Sequence, residues 1–185
     1  MDKFLVVCRI ILDEFSACVM YYPNSLTFDG VFEFYKREIN WQKIRNRFTK
    51  FYSDCSYYYS GAYHPASKMP VNIAKIITEL QILFRVKLNS CLLNWYPDGN
   101  SCIPWHSDNE SALGQQPFIV TVSLGAVRMF QLKHNYSEMV AEVNLENNSI
   151  LVMFGNTQTF WKHAILPIKN APARLSLTFR NIEKA

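Results

Sequence analysis

Two hydrophobic periodicities divide the chain near residue 90. Before it, Ile73, Ile76, Ile77, Leu80 and Phe84 recur at helical spacing, and Pro70 suits the first turn of that helix. A shorter helix is expected to run to about Glu38, capped by Thr27 or Asp29, with Val31, Phe32, Phe34 and Tyr35 as its apolar contacts. Residues 4–12 read as a strand. After residue 90, short apolar segments recur at 91–96, 117–124, 127–133, 139–145, 149–154, 159–166 and 173–181. Turn residues part them: Pro97-Asp98-Gly99, Gly114, Asn135, Asn147-Asn148 and Gly155-Asn156. This spacing predicts a jelly-roll β-sandwich backed by two N-terminal helices, which makes the fold class α+β.

Composition narrows the class. The chain has 185 residues, 49% apolar and 18% charged, which suits one globular domain over 1–185. No apolar stretch approaches the ~20 residues of a membrane span. Arg9, Asp13 and Glu14 interrupt the first apolar region, which argues against a signal peptide. Five cysteines without a C-x-x-C pair point to an intracellular, reducing setting (cytoplasm or nucleus) and away from a disulfide framework.

The net charge of +4 is unevenly spread. Residues 36–50 carry Lys36, Arg37, Lys43, Arg45, Arg47 and Lys50 against Glu38 alone, so this segment is +5 and the remainder −1. Trp41, Phe48, Phe51 and Tyr52 interleave with or follow these cations, a mixture suited to phosphate contact and base stacking as well as to a solvated helix end.

Three features carry chemistry. His106 and Asp108, two apart in an expected strand, would point to one face. His163 in another expected strand completes two histidines and a carboxylate, the facial set of non-haem Fe(II) oxygenases, which zinc also accepts. In 174–180, Arg174, Ser176, Thr178 and Arg180 alternate with Leu175, Leu177 and Phe179. Two arginines on an inward face need anions, supplied either by internal salt bridges or by a dicarboxylate. Asn94 and Tyr96 share a face of a further strand and could donate hydrogen bonds to the same ligand.

These segments together resemble the AlkB family of Fe(II)- and 2-oxoglutarate-dependent dioxygenases, in the DNA/RNA-repair branch. The resemblance rests on LLNWYPDG (92–99), IPWHSDNESALG (103–114), VTVSLGAVRMFQLK (120–133), GNTQTFWKH (155–163) and ARLSLTFR (173–180), in order, and extends from about Arg45 to Ile182. It implies a double-stranded β-helix (jelly roll) core over 91–182, preceded in 1–90 by strands, helices and a nucleotide-recognition lid. It also implies that His106, Asp108 and His163 bind Fe(II). Arg174 would pair with the distal carboxylate of 2-oxoglutarate, with Arg180, Asn94, Tyr96 and Thr178 completing that site. Tyr59 would stack on the target base, Tyr57 would contact it or its backbone, Asn109 and Glu110 would read its edge, and Arg45 and Arg47 in the lid would grip the strand.

The implied reaction is oxidative demethylation of 1-methyladenine or 3-methylcytosine in DNA or RNA, with O2 as second co-substrate and succinate, CO2 and formaldehyde as products. A monomer acting without a membrane is expected. Asn109 stands where the repair branch often has Asp, and Ser176 where it often has Asn. No apolar finger is evident near the N-terminus, which favours single strands over duplex DNA. The alternatives are a related dioxygenase acting on a protein or small molecule, a non-catalytic nucleic-acid-binding jelly roll, and a zinc hydrolase.

Overall fold

The computed structural model describes residues 8–25, 31–59 and 62–183, and only the backbone of residues 31, 38, 57–59, 62 and 64. The N-terminal half places β1 (Arg9–Glu14), β2 (Ala17–Tyr22), α1 (Val31–Glu38), β3 (Gln42–Ile44), β4 (Arg47–Ser53), β5 (Tyr57–Tyr59), β6 (Ala62–His64) and α2 (Val71–Phe84). There follow β7 (Ser90–Tyr96), β8 (Ile103–His106), β9 (Ile119–Gly125), β10 (Arg128–His134), β11 (Val140–Leu145) and β12 (Ser149–Phe154). The last elements are the one-turn α3 (Thr157–Phe160), β13 (Trp161–Ile165) and β14 (Arg174–Arg180).

An eight-stranded sheet runs β1-β2-β12-β9-β14-β7-β4-β3, and a four-stranded sheet runs β11-β10-β13-β8. Every pairing is antiparallel, and β5 and β6 form a separate hairpin. This is the expected α+β double-stranded β-helix.

The large sheet is buried on both faces, which sets its sequence pattern. Towards the helices, Leu93, Val120, Val122, Val152, Leu175, Leu177 and Phe179 pack with Tyr35, Ile39, Ile73, Ile76, Ile77 and Leu80. Towards the small sheet, Tyr21, Tyr96, Ile119, Leu151 and Met153 meet Phe130, Leu132, Val143, Leu145, Trp161 and Ile165. Alternation along β14 therefore sends its leucines and Phe179 to the helical layer, and Arg174, Ser176, Thr178 and Arg180 between the sheets. The helix from Pro70 is present, with Pro70 at its N-cap.

The structure corrects several expectations. Among the described residues the first strand is Arg9–Glu14, which contains 9–12 of the expected 4–12 and extends to Glu14 (residues 4–7 lie outside the described residues), and it forms a hairpin with β2, whose run ACVMYY lacks polar alternation. Residues 159–160 belong to α3, not to a strand. Thr27 and Asp29 lie outside the described residues.

Leu177, fully buried in a strand flanked on both sides, is expected to be costly to truncate. Leu177→Ala should lose about 2–5 kcal/mol in urea unfolding. Val127→Ala, at an exposed side chain, should stay within about 0.5 kcal/mol.

Candidate active site

The small sheet positions two imidazoles. His106 is the last residue of β8 and lies opposite His163 of β13 in register, with ring centroids 4.3 Å apart. His106 Nδ1 donates to the Pro104 carbonyl at 2.8 Å, which leaves Nε2 as the free lone pair, 3.6 Å from Asp108 Oδ1. Phe130 stacks on His163 at 5.2 Å.

Asp108 is not on a strand, contrary to the alternation argument: β8 ends at His106, and the carboxylate reaches the imidazoles from the following loop. It is 1% exposed, and Arg180 Nη2 donates to its Oδ2 at 2.6 Å, whereas the buried Oδ1 accepts no hydrogen bond. One ligand atom from each of His106, Asp108 and His163 lies within 4.8 Å of the others.

Electrostatics keep these groups in ligand form. Burial alone would raise Asp108, but Arg180, His163 and His106 outweigh it and bring the carboxyl down to about 2. Burial, then the neighbouring His106, lowers His163 to about 3 against the opposing pull of Asp108, so its imidazole is neutral. A neutral His163 imidazole, the His106 ring with Nε2 turned to the carboxylate, and an ionised carboxylate with an orphaned oxygen fit a divalent transition metal such as Fe(II).

Beside this triad lies a strongly cationic wall. Arg174 is fully buried, donates from Nη2 to Ser123 Oγ at 2.9 Å, and keeps Nε and Nη1 without partners. Its guanidinium lies 4.9 Å from the centre of the Tyr96 ring, whose buried hydroxyl is also unpartnered. Asn94, Ser176 and Thr178 line the same cavity, closed by Leu92, Ile103, Phe130, Leu145, Met153 and Ile165. Arg128, also fully buried, donates to the carbonyls of Ser101 and Leu166 at 2.8 Å each. Burial is the main cause lowering the pKa of both arginines. The cavity thus joins a triad of potential metal ligands to a buried guanidinium with two nitrogens lacking aligned acceptors.

The profile described as the 2OG-Fe(II) oxygenase superfamily matches residues 30–180. The chain belongs to this superfamily. Alpha-ketoglutarate-dependent dioxygenase alkB homolog 3 of Bos taurus is 30% identical, over 83% of this chain and 61% of the relative. DNA oxidative demethylase ALKBH2 of Bos taurus is 30% identical, over 93% and 63%. The chain therefore spans less than two thirds of these relatives. The solved structure of OsALKBH1 shares the fold, with a TM-score of 0.71 at 16% identity, over 94% of this chain and all of that one. The relatives support placement in the AlkB family.

Within this fold the remaining expected residues fall in different places. Arg47 does not face outward from a lid: it is 5% exposed, and its Nε donates to Asn94 Oδ1 at 3.0 Å while Nη1 points to the Cys102 carbonyl at 3.4 Å. Pairing of β4 with β7, Thr49 opposite Asn94, draws Arg47 inward and fixes the Asn94 amide. Arg45 is exposed at the β3–β4 turn with a φ of 55°. Asn109 is exposed and Glu110 half-buried on the loop after Asp108. Tyr57 and Tyr59 belong to the β5–β6 hairpin, and their side chains lie outside the described residues. Sequence reasoning missed Arg128 and Ser123; the signal available for Arg128 was a lone cation in the apolar run after Gly125. Among the described residues no helix is long and apolar enough to cross a membrane.

The triad makes the metal-free protein acid-sensitive. His163 and Asp108 both have folded pKa values below their unfolded ones, so the unfolded chain binds more protons as pH falls. His163 should withdraw stability from about pH 6.5 towards its folded value of about 3, and Asp108 from about 3.8 towards 2. Urea unfolding with a chelator should lose on the order of 1–2 kcal/mol between pH 7 and pH 5. His163→Gln should flatten that dependence.

Proposed function

We propose that this protein is an Fe(II)- and 2-oxoglutarate-dependent dioxygenase that oxidatively demethylates N-alkylated bases, of the 1-methyladenine and 3-methylcytosine type, in single-stranded DNA or RNA. The observation that carries the reading is the shared cavity: an open triad of two histidines and a carboxylate beside Arg174, a buried cation with two unpartnered nitrogens. A zinc hydrolase has no use for the second half of that arrangement, and a pure binding module has no use for the first. The names of the relatives, a dioxygenase dependent on alpha-ketoglutarate and a DNA oxidative demethylase, favour the same chemistry.

His106, Asp108 and His163 would hold Fe(II). Bound there, the metal would couple O2-dependent decarboxylation of 2-oxoglutarate, to succinate and CO2, to hydroxylation of the N-methyl group, which then leaves as formaldehyde. Arg174 binds the distal carboxylate of the co-substrate, for which its free Nε and Nη1 supply donors. Arg47 occupies the Asn94 carbonyl oxygen, so Asn94 offers its amide N–H to the ligand. The Tyr96 hydroxyl and Thr178 add orienting contacts. Arg180 keeps Asp108 ionised, and the apolar lining excludes bulk water.

Substrate roles follow from the chain's aromatic and basic segments. Tyr59 stacks on the target base and Tyr57 contacts it or its backbone. A methylated N1-adenine or N3-cytosine is cationic, which suits an aromatic face. Asn109 and Glu110 read the base edge, and Arg45 engages the strand backbone. The enzyme acts as a monomer.

Turnover with Fe(II), 2-oxoglutarate and O2 on single-stranded oligonucleotides carrying either lesion, as DNA and as RNA, tests this. Methyl loss matched by succinate and formaldehyde is expected, with His106→Ala inactive. Succinate without methyl loss would contradict the substrate, and no succinate with metal bound would contradict the reaction.

A further inference from the structure

Of the three metal-ligand side chains, two are placed by the sheet. His106 and His163 sit opposite each other in the β8–β13 register. Asp108 lies two residues beyond the end of β8, where strand pairing no longer determines its position. Arg180 holds Oδ2 of its carboxylate, and a separate contact holds its backbone.

The backbone N–H of Asp108 donates to Gln158 Oε1 at 2.8 Å, in a buried bond linking residues 50 apart. Gln158 is 3% exposed and lies in α3, the single turn leading into the strand that carries His163. Its Nε2 points at Met153 Sδ at 3.5 Å, so both polar ends of the amide are used inside the protein. Ser107 makes a second link between the same segments, donating from Oγ to the Trp161 carbonyl at 2.7 Å. The turn is itself anchored: Thr157 Oγ1 donates to the Phe154 carbonyl at 2.6 Å and accepts the Cys18 N–H of β2 at 3.0 Å. The segment bearing one ligand therefore grips the loop bearing another.

We propose that Gln158 is a positioning residue for the metal centre: its side-chain carbonyl sets the loop geometry that aims the free Asp108 Oδ1 at the two imidazoles. The inference rests on the metal-binding reading above. It assigns Gln158 an effect on metal affinity distinct from any effect on folding. An apolar side chain of similar size fills the same space but leaves the Asp108 N–H, held in a buried loop, without an acceptor. Gln158→Met removes the acceptor at similar volume, Gln158→Asn retracts it by one methylene, and Gln158→Glu keeps a carbonyl-type oxygen in reach.

The test is titration of the metal-free protein with Mn(II), read by electron paramagnetic resonance, alongside thermal unfolding of each metal-free variant. Neither measurement depends on turnover. Removing such outer support of a ligand weakens metal binding by about 10–100-fold, and that loss is expected for Gln158→Met and Gln158→Asn. Gln158→Glu should bind Mn(II) about as tightly as the unaltered protein. A merely structural glutamine would lower the unfolding temperature and leave the affinity of the folded protein unchanged; that result for Gln158→Met overturns the proposal. Should Gln158→Met fail to fold, Gln158→Asn and Gln158→Glu decide, and equal affinity for these two also overturns it. Failure of the unaltered protein to bind Mn(II), matching a His163→Ala control, would overturn the metal reading and this inference with it.

Discussion

The structure depends on a charge imbalance held inside it. Arg174 and Arg180 line one cavity, where Asp108 pairs with Arg180, and Arg47 and Arg128 stand behind its Asn94 and Tyr96; all four are at most 5% exposed. A buried guanidinium is tolerated only when its donors are met. Arg128 is met by backbone carbonyls and Arg47 by the Asn94 amide and a carbonyl. Arg174 has Ser123 Oγ for its Nη2 and Tyr96 beside its guanidinium, while Nε and Nη1 meet no well-aligned acceptor. On the proposed reading, the fold thus holds one cation for an incoming anion, in the same cavity as the Asp108 carboxylate.

That arrangement is a consequence of the two-layer fold. β14 lies between β9 and β7, flanked on both edges, and covered by helices on one face and the small sheet on the other. Its period of two therefore separates an apolar row from a polar row without solvent reaching either. Arg174 and Arg180 stand six residues apart on the polar row, so one strand reaches both Tyr96 and Asp108. The imidazoles come from the facing sheet. The two imidazoles and the polar row of β14 meet because two sheets face each other, while Asp108 is brought in by the side chains of Gln158 and Arg180.

Much of this was legible in the chain. Strict alternation in 174–180 revealed both faces of β14, and helical spacing after Pro70 revealed α2. What failed did so for lack of a local signal. Asp108 follows His106 at strand spacing, but the strand stops at His106, and the residue that holds the loop is Gln158, remote in sequence. Arg47 belongs to a basic segment whose summed charge suggests a nucleic-acid face. Charge summed over a segment ignores that alternate residues of β4 face opposite ways, and Arg47 and Thr49 take the buried side. β2 escaped notice because its run ACVMYY carries neither charge nor polar alternation.

The central claim is that Arg174 waits for the far carboxylate of a dicarboxylate ligand. Calorimetry on the Mn(II)-loaded protein tests it most directly, comparing 2-oxoglutarate with 2-oxobutyrate, a 2-oxo acid that lacks the distal carboxylate. A charge-assisted, two-donor contact is worth roughly 3 kcal/mol, so 2-oxoglutarate should bind about 100-fold more tightly, and Arg174→Leu should remove most of that advantage. Equal affinity for the two acids, or an advantage that survives Arg174→Leu, would contradict the account.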